Sequence, residues 1–160
     1  MKIYALMENI SHDECLACEH GLSLYIEADG KKILFDTGAS EKFAENAEKM
    51  GVDLKAVDFA AISHGHYDHG GGLAKFIELN DHAPIYISDK GFNQYYSGTD
   101  FNVSIPEGLE GNERFVLTNA PIKLSENITL LNCNDREAKY YADSYGLNKL
   151  VDGEFIPDDF

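Results

Sequence analysis

Apolar residues in the first third of the chain group into short runs that turn residues separate. Residues 1–9 predict a first β-strand. Residues 22–28 and 32–36 flank the dipeptide Asp29-Gly30, which is a strong signal for a hairpin turn. The chain is therefore predicted to begin with a strand, a loop and two paired strands.

The following segments alternate between helical spacing and the apolar runs of buried strands. A helix is predicted over residues 41–50, with Gly51 as its stop. Residues 56–63 form an apolar run typical of a buried strand, residues 70–79 have helical spacing, and residues 84–88 predict another short strand. This alternation of strands and helices predicts an α/β (α+β) fold.

The rest of the chain carries weaker patterns. Residues 89–114 are rich in Gly, Asn, Ser and Tyr and predict a long, partly irregular excursion. Strands are predicted at residues 115–117 and 128–131, whereas residues 140–160 show no strong period. Because no internal repeat, low-complexity tract or linker interrupts the sequence, residues 1–160 are interpreted as a single domain.

Composition and charge narrow the class of protein. A chain of 160 residues with 44% apolar residues can bury a core. Its net charge of −15 is opposite to what phosphate neutralisation requires, so we expect no nucleic-acid partner. The chain has no run of about 18 apolar residues and its start lacks the pattern of a signal peptide, so we expect a cytoplasmic protein without a membrane span.

The strongest chemical feature is the run Ser-His-Gly-His-Tyr-Asp-His-Gly-Gly-Gly at residues 63–72. It follows the predicted strand at residues 56–63 and precedes the helix predicted at 70–79, so it is expected on a loop between them. Zinc and related divalent ions take imidazole and carboxylate ligands, and an accidental cluster on a polar surface loop is the alternative. The candidate ligands are His64, His66, Asp68 and His69.

Two cysteines and three aromatic residues are further candidates for a redox pair, a metal clip or a ligand pocket. Cys15 and Cys18 have the spacing of a redox pair or a metal clip, but Cys133 alone cannot complete a clip and no helix follows the pair. Two reduced thiols on a loop are expected, with a disulfide or a redox module as the alternatives. The aromatic residues could line a pocket for a flat ring or pack in the core; they are Phe92, Tyr95 and Tyr96.

The cluster resembles the His-x-His-x-Asp-His motif of the metallo-β-lactamase superfamily. Residues 19–26, 33–40 and 63–69 together are similar to one branch of it, the metal-dependent hydrolases related to dihydropterin ribofuranosyl-aminobenzene phosphate synthases. The resemblance covers residues 1–90 and thins afterwards. It implies an αββα sandwich built around a metal site.

The resemblance also implies roles for individual residues. His64 and His66 would bind one metal ion, while Asp68 and His69 would bind a second, and Asp68 would also accept a hydrogen bond from the attacking hydroxide. One or two zinc ions are expected, with manganese or iron as lesser options, because di-iron members carry a carboxylate in place of His66.

Two residues outside the motif are expected to support it. Asp36 ends an apolar strand before Thr37-Gly38, and by resemblance it lies beneath the metal loop as an outer hydrogen-bond acceptor. Capping the helix at residues 41–50 is the alternative role for Asp36. His20 faces the site by the same resemblance, with a hydrogen bond from the loop to the backbone as its alternative.

The end of the chain departs from this branch. Its members are longer, and their second halves supply further histidine ligands, whereas no histidine follows His82 here. Residues 158–160 resemble a segment that precedes the missing half, so the chain is interpreted as an incomplete, N-terminal portion with the second sheet largely missing.

Ligand counting gives that interpretation two functional consequences. Each site would have two protein ligands where catalytic zinc usually has three, so low occupancy is expected for the isolated chain. A homo-oligomer or a complementing C-terminal half could supply the remainder. Two functions follow: a hydrolase that acts on an ester, a phosphoester or a related small metabolite, or a non-catalytic half-domain that needs a partner chain to form the site.

Overall fold

The computed structural model describes residues 1–131 and 144–158. Cys133 and part of the segment at 140–160 therefore lie outside the described residues. Within them the strands are β1 (Lys2–Met7), β2 (Ser23–Ala28), β3 (Lys31–Phe35), β4 (Phe59–Ala61), β5 (Ile85–Ser88), β6 (Tyr95–Ser97), β7 (Phe101–Asn102), β8 (Phe115–Thr118), β9 (Ile122–Lys123), β10 (Thr129–Leu130), β11 (Leu147–Val151) and β12 (Glu154–Pro157). The helices are α1 (Lys42–Lys49), α2 (Tyr67–Gly70) and α3 (Leu73–Leu79), with a 3₁₀ turn at Leu54–Ala56.

A six-stranded sheet in the order β1-β2-β3-β4-β5-β8 forms the centre of the fold. The pairs β1–β2 and β2–β3 are antiparallel, and the Asp29-Gly30 turn joins the second pair as predicted. The pairs β3–β4, β4–β5 and β5–β8 are parallel, with α1 between β3 and β4 and α3 between β4 and β5. The carboxyl ends of β3 and β4 consequently lie side by side, which is where open α/β sheets usually bind ligands.

Helices and sheet pack together over a core made mainly of apolar side chains. Phe43 of α1 and Phe76 of α3 have no exposed surface, as do Leu34 of β3 and Ile85 of β5. Helix α1 ends at Lys49 with Met50 as its C-cap, and Gly51 follows with a left-handed φ of 70°, as expected for the predicted stop. These elements fix the sheet edge from which the candidate site projects.

A buried asparagine ties the loop between β1 and β2 to helix α1. The Asn46 side-chain amide donates to Leu6 O at 2.7 Å and to Ala17 O at 2.8 Å, while its Oδ1 accepts from Ala17 N at 2.9 Å. Asn46 is 2% exposed, so these bonds satisfy a polar group that would otherwise destabilise the core. They anchor the loop that carries His20.

A second sheet of four strands, in the order β12-β11-β6-β7, is present among the described residues, whereas the sequence was interpreted as a portion with its second sheet largely missing. Strands β6 and β7 lie within the segment interpreted as irregular, and β11 and β12 form a hairpin where the sequence showed no period. Most residues of this hairpin are exposed or half-buried, so no alternation of buried and exposed side chains marks them. Strands β9 and β10 form a separate two-stranded pair.

Candidate metal centre

The His-rich run leaves the carboxyl end of β4 and ends in a helical turn. His64 and His66 lie in the connection after β4, whereas Asp68 and His69 belong to the short helix α2. The prediction that all four candidates lie on a loop was therefore wrong for the last two. Helix α2 forms because Gly70 and Gly71 donate to the carbonyls of His66 and Tyr67, at 2.9 and 2.7 Å.

Three of the predicted ligands form a compact cluster. One ligand atom from each of His64, Asp68 and His69 lies within 4.8 Å of the other two. Zinc binds such atoms at about 2.0–2.2 Å, so a single ion fits between them after a small inward movement. Two imidazoles and a carboxylate are also a donor set that catalytic zinc sites use. These residues could therefore hold a divalent ion.

His66 lies next to this cluster and outside it. Its ring centre is 4.5 Å from that of His64, whereas the His64 and His69 rings are 4.2 Å apart. Nε2 of His66 lies 2.7 Å from Oδ2 of Asp158, a residue that the sequence did not single out as a side chain with a function. His66 therefore lies beside the site, with its Nε2 hydrogen-bonded to Asp158.

Asp36 contacts the site as a buried acceptor, and no cap of α1 involves it. Its side chain is fully buried; Oδ1 accepts from Ser63 N at 2.7 Å, and Oδ2 accepts from Ser63 Oγ at 2.8 Å and from His69 Nδ1 at 2.7 Å. The N-cap of α1 is Glu41, without a side-chain cap bond. Asp36 has a φ of 58°, a left-handed conformation that Asp adopts more readily than most residues.

Ser63 links Asp36 to His64 through two hydrogen bonds of its hydroxyl group. Its hydroxyl proton goes to Asp36, so its oxygen is left to accept from His64 Nδ1, which lies 2.9 Å away. His64 then carries its lone pair on Nε2, and His69, which donates from Nδ1, carries its own on Nε2. Ser63 was not predicted as a site residue; its position directly before the first histidine was the available signal.

The environment shifts the pKa of two imidazoles in opposite directions. Burial, together with the neighbouring His69 and His66, lowers the pKa of His64 to about 3, so this ring is neutral and can act as a ligand at neutral pH. Burial also acts to lower the pKa of His69, but the hydrogen bond and charge of Asp36 and the charge of Asp68 outweigh it and raise that pKa. A cation at the site would replace the proton that these carboxylates favour.

His20 reaches the site from the loop between β1 and β2. Its Nδ1 lies 3.0 Å from Asn9 Oδ1, and its Nε2 lies 3.3 Å from Asp68 Oδ2. The side chain is 74% exposed, so it stands at the mouth of the site. Both ring nitrogens of His20 therefore lie near side-chain oxygens, which differs from the hydrogen bond to the backbone that was its alternative.

Backbone contacts fix helix α2 against the loop after β3. Thr37 N donates to His69 O at 2.7 Å, and Gly71 N donates to Gly38 O at 2.9 Å. A Cβ on Gly71 would lie 2.5 Å from both the Ala39 carbonyl carbon and the Tyr67 oxygen, so only glycine fits there without displacement of the backbone. Glycine at position 71 therefore allows α2 to pack closely against the loop after β3.

The remaining candidates from the sequence lie outside the centre. Cys15 and Cys18 are exposed free thiols, as expected. Tyr95 is buried, with its hydroxyl donating to Lys90 O at 2.8 Å, and Phe92 packs on Phe115 in an edge-to-face contact, so both belong to the core. Tyr96 packs against Phe155 of the same four-stranded sheet, with the ring centroids 5.1 Å apart.

The fold and this centre define a class of protein: an α/β sheet with candidate His and Asp ligands in the segment that follows the carboxyl end of β4. A family model described as the metallo-beta-lactamase superfamily matches residues 16–139. The chain belongs to this superfamily. Its members generally bind metal ions, and the cluster of His64, Asp68 and His69 could hold one.

Individual relatives support the same assignment. The 7,8-dihydropterin-6-methyl-4-(beta-D-ribofuranosyl)-aminobenzene-5′-phosphate synthase of Methanocaldococcus jannaschii is 30% identical over 176 residues, covering 99% of this chain and 60% of that protein. An uncharacterized protein of the same organism is 28% identical over 162 residues, covering 98% and 62%. The crystal structure of a metal-dependent hydrolase of the beta-lactamase superfamily has a TM-score of 0.76 and 29% identity, covering 98% of this chain and 56% of that one.

These comparisons confirm the predicted fold class and the predicted branch. The fold is that of metal-dependent hydrolases of the superfamily, and a synthase of the expected kind is among the relatives. The chain spans 60% and 62% of the lengths of the two archaeal relatives. No helix among residues 1–131 and 144–158 is long and apolar enough to cross a membrane.

Proposed function

We propose that this chain carries the metal-binding half of a metal-dependent hydrolase site, with zinc as the ion and a small phosphate-bearing metabolite as the substrate. One observation carries the proposal. His64, Asp68 and His69 converge within 4.8 Å, and the carboxylate of Asp36 orients His69 directly and His64 through Ser63. Oriented imidazoles beside a carboxylate favour zinc over magnesium or calcium.

The chain's own residues would perform three tasks. His64 and His69 would present Nε2 lone pairs to the ion, and Asp68 would add a carboxylate oxygen. Asp68 would also accept a proton or a hydrogen bond from the nucleophile, and His20 could steady that carboxylate from the mouth of the site. A bound ion would lower the pKa of a water molecule and polarise the substrate oxygen.

The substrate class rests on chemistry and on one relative. The name of the archaeal synthase includes a phosphate ester, and the present chain matches 60% of the length of that protein. An ion that stabilises the charge developing on phosphate oxygens would assist hydrolysis of a phosphoester. We propose hydrolysis because the cluster provides a carboxylate beside candidate zinc ligands, which suits activation of water.

The incomplete half-domain is the alternative proposal. The three-residue cluster provides the ligand count of a catalytic zinc site, but His66 is not part of it, and two complete sites would need further ligands. A second copy of the chain or a complementary C-terminal half would supply them. In that case the isolated chain would bind zinc weakly and show no hydrolysis.

Metal content per chain, measured by elemental mass spectrometry after gentle dialysis, tests both proposals. About one or two zinc ions per chain would support the hydrolase site, and a screen of phosphomonoesters and phosphodiesters would follow. Near-zero metal in the folded protein would favour the half-domain. His64→Ala and Asp68→Ala should each abolish binding, whereas His82→Ala, at an exposed histidine away from the site, should retain it.

A further inference from the structure

A further carboxylate near the site, in addition to those of Asp68 and Asp36, comes from the last described residue of the chain. Oδ2 of Asp158 lies 2.7 Å from Nε2 of His66, and the two side chains are only 0% and 6% exposed. A contact between an imidazole and a fully buried carboxylate is a short, charge-assisted hydrogen bond. Because an ionised carboxylate only accepts, the proton of this bond belongs to His66 Nε2.

The four-stranded sheet brings Asp158 to this position. Strand β11 pairs with β6, so that Lys149 lies opposite Tyr95, and the Tyr95 ring packs edge-on against His66 at 5.1 Å. Strand β12 folds back on β11, and Asp158 N donates to Leu147 O at 3.0 Å directly after β12 ends. The carboxylate is thus held by an ordered hairpin.

The contact between Asp158 and His66 has a counterpart at His69. Asp36, which is also fully buried, accepts from His69 at Nδ1, whereas Asp158 accepts from His66 at Nε2. Each carboxylate fixes one tautomer of its imidazole, and the opposite ring nitrogen then carries the lone pair. In these tautomers the lone pair lies on Nε2 of His69 and on Nδ1 of His66.

We propose that Asp158 is a positioning residue that fixes His66 in the tautomer protonated on Nε2, so that Nδ1 is the nitrogen through which His66, which lies beside the three-residue cluster, would join a bound ion. The metal part of this inference rests on the proposed function, but the hydrogen bond does not. Outer acceptors of this kind hold the ring orientation and raise the basicity of the ligand nitrogen. Asp158 thereby links the last described hairpin to the His-rich motif.

The tautomer is tested in the full-length protein without metal. A long-range proton–nitrogen NMR correlation spectrum is recorded at mildly alkaline pH, and the His66 signals are assigned by their loss in His66→Gln. We expect a proton on Nε2 that is shifted strongly downfield and exchanges slowly, and we expect this signal to disappear in Asp158→Ala. An unprotonated Nε2 in the wild-type protein would overturn the inference.

Zinc titration against a competing chelator tests the consequence for the ion. Asp158→Ala should weaken zinc binding about 10- to 100-fold with unchanged stoichiometry. Asp158→Asn, whose side-chain oxygen can still accept from Nε2, should lose less affinity. Asp152→Asn, at an exposed turn of the same hairpin, is the matched control and should bind zinc like the wild-type protein.

The remaining outcomes separate this inference from the proposed function. Unchanged zinc affinity in a folded Asp158→Ala protein would overturn it, as would the loss of a whole ion in Asp158→Asn, because Asp158 would then be a ligand. If the wild-type protein bound no zinc, the proposed function would fail. The NMR spectrum would still decide whether Asp158 fixes the tautomer of His66.

Discussion

Oδ2 of Asp36 lies 2.7 Å from Nδ1 of His69, at the point where the carboxyl ends of β3 and β4 meet. The same carboxylate accepts hydrogen bonds from the backbone amide and the hydroxyl of Ser63. One buried side chain therefore contacts both Ser63 and His69, at the two ends of the His-rich motif. The left-handed φ of 58° at Asp36 is the backbone conformation in which the side chain makes all three contacts. The site and the fold therefore depend on the same residue.

Replacement of Asp36 should weaken zinc binding and stability together. Asp36→Asn keeps an acceptor oxygen and a residue type that tolerates left-handed φ, so we expect only a modest loss of stability. It removes the negative charge beside His69, so we expect a 10- to 100-fold loss of zinc affinity. Asp36→Ala should destabilise further, by roughly 1–3 kcal/mol for the unpaired donors and about 1–2 kcal/mol for the left-handed backbone. Urea unfolding and zinc titration measure both effects; equal stability of the two variants would contradict the role given to the backbone.

Replacement of Ser63 should reduce zinc affinity more than it reduces the stability of the fold. Ser63→Ala removes the acceptor for His64 Nδ1 but keeps the backbone N–H that donates to Asp36. We expect zinc affinity to fall about tenfold, the lower end of the range for outer contacts, while stability changes by about 0.5–1.5 kcal/mol. Ser97→Ala, at an exposed position of β6, is the control for loss of a hydroxyl. Equal zinc affinity in the two variants would show that Ser63 does not orient His64.

The glycine after α2 should tolerate no side chain. Gly71→Ala places a methyl group 2.5 Å from the Ala39 carbonyl carbon and from the Tyr67 oxygen, so we expect a loss of about 1–3 kcal/mol in the free energy of unfolding. At Gly111 a Cβ meets no atom within 4 Å, so Gly111→Ala should be neutral or stabilise by up to about 1 kcal/mol. Urea unfolding compares the two variants. Similar stabilities would mean that the loop after β3 moves away readily.

Alkaline pH should destabilise the protein through Tyr25. Burial and the nearby Glu27 carboxylate raise the pKa of Tyr25 from 10.0 to about 12. Above pH 10 the unfolded state loses this proton before the folded state does, so stability falls as pH rises from about 10 to 12. Tyr25→Phe should flatten that decline, and Tyr145→Phe, at an exposed ring, should leave it unchanged. Unfolding free energies at several alkaline pH values measure the slopes; equal slopes in all three proteins would contradict the assignment.

Local patterns in the sequence determined much of this protein. The turn Asp29-Gly30, the stop of α1 at Gly51 and the ligand types of residues 63–69 are each encoded within a few neighbouring positions. Their physical basis is local: a left-handed φ that glycine adopts readily, a helical period, and donor atoms that suit a divalent ion. Asp36 could be identified from the sequence for the same reason, because a carboxylate that ends a buried strand is unusual.

Tertiary structure decided which of those donors meet and what orients them. The sequence did not indicate that Asp68 and His69 lie in a helical turn, that Ser63 relays the influence of Asp36 to His64, or that Asp158 reaches His66 across 92 positions. The hairpin that carries Asp158 has no alternation of buried and exposed residues, so its pairing with β6 left no periodic signal. Contacts between residues far apart in the chain depend on how sheets pair, and a pattern read over neighbouring residues does not contain that information.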